Sequence, residues 1–78
     1  MPMPRFHFHV QDGHEIPDRD GLVLPHFQAA RAEAISAAGE MIRDLRGALP
    51  IPEWRMDVTD DAGRPVLTLR FSAEEHGP

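Results

Sequence analysis

The chain has 78 residues, no cysteine, and 8 Lys+Arg against 13 Asp+Glu, for a formal net charge of −5 at pH 7. That length makes one domain, burying only about 60% of its unfolded surface, and the lack of cysteine excludes a disulfide framework and a thiolate metal site. All the basic residues are arginines spread singly along the chain, so nucleic acid and anionic membrane are disfavoured as partners.

The N-terminus lacks a cationic stretch leading into an apolar run, and no apolar run reaches membrane-spanning length, so the expected address is the cytoplasm. After a flexible start at residues 1–4, residues 5–11 alternate Phe6, Phe8 and Val10 against His7, His9 and Gln11. This is the two-residue period of a strand with one buried face. Asp12-Gly13 turns the chain, and residues 14–18 read as an edge strand because Pro17 cannot donate to a ladder. A second turn at Asp18-Arg19-Asp20-Gly21 follows, and Leu22, Val23 and Leu24 bring apolar side chains back toward the core.

Residues 27–46, FQAARAEAISAAGEMIRDLR, form the one long amphipathic helix. Phe27, Ala30, Ala34, Ala37, Ala38, Met41, Ile42 and Leu45 lie on one side of a 100° wheel. Its alanines allow a close approach to a sheet. Its start is poorly signalled and expected to fray, because His26 stands where Ser, Thr, Asp or Asn would cap. Its end is marked by Gly47, and Pro50 and Pro52 hold an extended connector. Residues 54–59 alternate again, with Trp54, Met56 and Val58 on one face. The Asp60-Asp61-Ala62-Gly63 turn leads to a return strand at 66–71, and residues 73–78 form a flexible tail.

The expected architecture is α+β: a ββαββ chain in one domain, residues 1–78. Its four-stranded antiparallel sheet has order 2-1-3-4 and carries one helix on one face. The segments FHFHVQDG, DRDG-LVLP, AARAEA, GEMIRD and WRMDVTDDAGRPVLTLRFSAE together resemble a family of short alphaproteobacterial proteins catalogued as a domain of unknown function. The resemblance runs from about residue 4 to residue 75. It implies a small intracellular α+β protein and brings no activity, substrate or catalytic residue. In that family an aromatic residue often stands at His7 and an acidic or hydroxyl residue at His26, so the extra histidines are not central to a shared function.

Arg31 lies on the wheel among Ala34, Ile35 and Ala38, where a charge needs a partner. A salt bridge to Asp12, Asp18 or Asp20 is preferred over an anion site. His7 and His9 share the open face of the first strand with Asp57 opposite. Two histidines and a carboxylate are a metal-ligand set, but solvated polar alternation is the preferred reading, and no metal or other cofactor is expected. Asp12, Glu15, Asp18 and Asp20 fail the spacing of a calcium loop and suit turns. No nucleophile-base set or phosphate loop occurs, so an enzyme is not expected. Candidate interface residues are His7, His9, Arg55 and Arg70 on the open face, together with Trp54, which is read first as core. The expected function is a non-catalytic interaction module forming a homodimer or binding a protein partner. The alternative is a small-ligand or metal sensor using Arg31 or the His7/His9 pair.

Overall fold

The computed structural model describes residues 3–45 and 53–77. Along the chain come β1 (Arg5–Gln11), β2 (Glu15–Ile16), β3 (Leu22–Val23), α1 (Phe27–Arg43), β4 (Trp54–Asp60) and β5 (Pro65–Phe71). Every pairing is antiparallel. The spatial order is β2-β1-β4-β5, with β3 also on β1. The expected order of the four main strands is therefore the observed one, and β3 is an addition. The expected second strand shrinks to two residues.

The edge strand beside β1 is interrupted. Val10 stands opposite Ile16, and Phe6 opposite Leu22. Residues 17–21 must therefore pass the positions of His7, Phe8 and His9, two residues more than a regular ladder needs. The surplus carries this loop over the open face of the sheet, where the backbone of Asp18 meets the His7 and His9 rings. Gly21 closes the excursion with φ +70, and a Cβ there would lie 2.8 Å from the Phe6 carbonyl oxygen. Only glycine meets both conditions without strain.

Alternation places Phe6, Val10, Trp54, Met56 and Val58 on the opposite face, where they form the core with Ala30, Ala34 and Ala38 of α1. Phe8, Leu67, Leu69 and Phe71 pack around it, half-buried. The three alanines put the helix close to the sheet, and the contact is correspondingly narrow. Met41 and Phe27, expected inside, are exposed, as are Leu22 and Val23 on the edge strand, where only Leu24 reaches the core. The expected weak helix start is also corrected: His26 Nδ1 accepts from the Ala29 amide at 3.1 Å, so the imidazole caps the first turn. The Gly47 cap and the proline connector lie in residues 46–52, outside the described residues.

The β4–β5 turn is held by Asp60. One carboxylate oxygen accepts from the Ala62 and Arg64 amides, each at 2.9 Å, and the other from Arg64 Nε at 3.0 Å. Those bonds, first that from the Arg64 amide, lower the Asp60 pKa despite some desolvation.

Candidate functional site

The open face of the sheet carries the polar residues of β1 and β4 in register: His7 opposite Thr59, His9 opposite Asp57, and Gln11 opposite Arg55. On the far side of β4, Asp57 faces Thr68 and Arg55 faces Arg70. The strand period alone determines this placement, and it groups four of the candidate interface residues on one surface.

His7 and His9 stack with ring centroids 6.1 Å apart and planes 6° from parallel. Their hydrogen bonds distinguish them. His7 Nδ1 lies 2.9 Å from the Asp18 carbonyl oxygen and its Nε2 lies 3.1 Å from Asp61 Oδ1. Both partners are acceptors, so the ring that satisfies both is the imidazolium. The bond to Asp61, then that to the Asp18 carbonyl, raises the His7 pKa above its ordinary value against a smaller desolvation effect. His9 Nδ1 instead accepts from the Asp18 amide at 3.1 Å, which leaves Nε2 as the proton-bearing nitrogen, 3.2 Å from Thr59 Oγ1.

Asp18 therefore gathers the site. Its carbonyl and amide hold the two rings, and its carboxylate accepts from the Phe8 amide at 3.1 Å and the Gly21 amide at 3.0 Å. Phe8 is the β1 residue at the centre of the interrupted edge, so the carboxylate replaces the missing strand partner. Burial pushes the Asp18 carboxyl up, but the Gly21 and Phe8 amides with the neighbouring His7 outweigh it, and its pKa is lowered.

The expected Arg31 bridge is not made. Arg31 is exposed and takes part in no ion pair among the described residues. Asp18 is committed to backbone amides, the Asp12 carboxylate accepts from the His14 amide, and the Asp20 carbonyl accepts from Arg5 at 2.6 Å. The wheel misjudged Arg31 because the alanine contact is narrower than the apolar stripe. Ile35 on the same flank is 57% exposed. Trp54, the remaining interface candidate, is 2% exposed and belongs to the core.

The His7, His9 and Asp57 set shares a face, yet its donors are arranged for other partners. Asp57 holds Arg55 Nε at 2.9 Å through one oxygen and Thr68 Oγ1 at 2.9 Å through the other. A metal bound at both Nε2 atoms needs each ring to keep its proton on Nδ1. His7 meets that condition. His9 does not, because its Nδ1 accepts. Among the described residues no group of three or more His, Asp or Glu side chains is placed to hold a metal ion. The depression over the rings, bordered by Arg19, Thr59 and Gly63, has a volume of about 340 Å3 and lies wide open to solvent. Asp18 was visible in the sequence as a turn former and as a candidate partner of Arg31. Its spacing of three residues to Gly21 announced the turn, but nothing local announced the bond to Phe8.

A single helix over an antiparallel sheet, with a polar open face, defines a small α+β domain, and no described helix is long and apolar enough to cross a membrane. The family model for "Domain of unknown function (DUF6894)" matches residues 5–72, and the chain belongs to that family. No curated protein and no solved structure matches it.

Proposed function

We propose that this domain is a non-catalytic interaction module that self-associates by pairing the free edge of β5 with β5 of a second copy. The observation that carries this reading is the difference between the two edges of the sheet. On the β1 side the ladder is covered by two short strands, broken by a loop containing Pro17, and closed by the Asp18 carboxylate on the Phe8 amide. These are the devices that keep sheet edges from pairing. At the other end, β5 is seven residues long and has no strand beyond it among the described residues. Pro65 at its first position and Arg70 near its end are its only comparable guards.

The sequence of β5 favours an antiparallel copy. A two-fold axis at Thr68 sets Leu67 against Leu69 of the second copy and Arg70 against its Val66, so no like charges face each other. A parallel, in-register pair would stack Arg70 on Arg70. Val66, Leu67, Leu69 and Phe71 are half-buried within the monomer, and the antiparallel pair extends their cover across two subunits. The domain is short for an enclosed pocket, which also favours a surface function.

Sedimentation of the wild type and of Thr68→Lys tests the reading. The wild type is expected to form a dimer. The variant, which places two ammonium groups against each other at the axis, is expected to be monomeric, with Asp57 beside the new lysine keeping the strand folded. A wild type that stays monomeric over a wide concentration range, or a variant that dimerises equally well, overturns it.

A further inference from the structure

We propose that His7 is a proton-operated clamp, which in its doubly protonated form ties the loop of residues 17–21 and the β4–β5 turn to β1, and which must release one of them on losing a proton. Both partners are distant from the ring in the chain, Asp18 by 11 residues and Asp61 by 54. Their link rests on two N–H groups of one ring, Nδ1–H to the Asp18 carbonyl and Nε2–H to the Asp61 carboxylate. A carbonyl and a carboxylate have no proton to give, so a neutral imidazole can serve only one of them.

The stacked neighbour makes the choice directional. The Asp18 amide donates to His9 Nδ1 while the Asp18 carbonyl accepts from His7 Nδ1, so one peptide residue is held between the two rings from both sides. The loop is also secured by the Asp18 carboxylate on Phe8 and by Arg5 on the Asp20 carbonyl. Among the described residues the turn's one side-chain bond to β1 is that of Asp61, which is 71% exposed against 15% for His7. The bond released on deprotonation is therefore the one to Asp61, which loosens the tip of the turn while Asp60 still holds its base.

The charged groups around His7 are consistent with this assignment. From β1 come Arg5 and His9, from the loop Asp18 and Arg19, and from the turn Asp60 and Asp61. Asp60 is occupied by Arg64 and its neighbouring amides, and Asp18 by Phe8 and Gly21. Asp61 is the carboxylate left for the ring. The bond to Asp61 comes first among those that raise the His7 pKa above its ordinary value, so the ring keeps its second proton to higher pH than a free imidazole does.

The test follows nitrogen-15 resonances of the His7 ring and of the Gly21, Ala62 and Gly63 amides through a pH titration of the full chain, in the wild type and in Asp61→Asn. In the wild type the Ala62 and Gly63 amides are expected to move with the same midpoint as the His7 ring, while Gly21 moves little. In Asp61→Asn the His7 midpoint is expected to fall, and the turn amides are expected to lose that step, because the asparagine amide can donate to the bare Nε2. Asp61 is exposed, so this variant keeps the fold. The proposal is overturned if the His7 midpoint is the same in both proteins, or if the turn amides of the wild type do not follow the ring.

Discussion

Asp18 accepts two amides, from Phe8 and Gly21, at the point where β1 has no strand beside it. Removing that carboxylate leaves a half-buried amide of the central strand without a partner. Asp18→Ala is expected to destabilise the domain by about 1–3 kcal/mol, read from urea unfolding, since an unsatisfied amide costs roughly that much. Arg31→Ala is expected to do little, within about 0.5 kcal/mol, because an exposed side chain without an ion partner has little to lose. The two residues show where sequence reading succeeds and stops. Turn chemistry at Asp18-Arg19-Asp20-Gly21 was legible from residue types alone. Which amide the Asp18 carboxylate would reach depended on a two-residue surplus in a ladder, which no local pattern encodes. Arg31 was misplaced for a related reason, since a helical wheel records direction but not how wide the contact beneath it is.

The helix rests on three alanines, Ala30, Ala34 and Ala38, each buried against the sheet. With no side chain to compress, the fit is set by backbone approach, and added carbons must displace the helix. Ala34→Leu is expected to cost about 1–3 kcal/mol by overpacking, whereas Ala32→Leu, on the exposed side, is expected to be nearly silent in the same unfolding measurement. Equal effects would mean that the helix presents a different face. At this scale the sequence was most informative. Strict alternation in β1 and β4 announced both the strands and their buried faces, and the alanine spacing announced the helix. It did not reveal β3, because two exposed residues are too short to show a period. Nor did it identify His26 as a cap, because histidine has no fixed habit at that position.

For the molecule as a whole, ionisable groups favour folding over a bounded pH range. The folded pKa of His7 is raised from 6.5, so its contribution is fully present below that value and fades as pH rises through the folded value. Those of Asp18 and Asp60 are lowered from 3.8, so their contributions are present above that value and fade as pH falls through the folded values. Stability measured by urea unfolding across pH is therefore expected to peak between 3.8 and 6.5, on the acid side of neutrality. A maximum at alkaline pH would contradict the hydrogen-bond assignments at His7. The histidines on the open face were legible as a pair, but their opposite roles were not, since the difference lies in one nitrogen of each ring and in which atom of Asp18 it meets.

The pairing of Phe6 with Asp60 and of Gln11 with Arg55 sets the order in which the chain can fold. β1 lies at the middle of the sheet yet is the first of the strands to be synthesised, and its longer neighbour follows only after the helix. Until then β1 has only the two short strands of its own hairpin region, too little to stand alone in water. The local β4–β5 hairpin can close as soon as it is made, whereas docking β1 requires closing the long loop from Gln11 to Arg55. During synthesis the future centre of the sheet is thus its last part to be secured, and the emerging protein is most exposed to mispairing through FHFHV rather than through its surface.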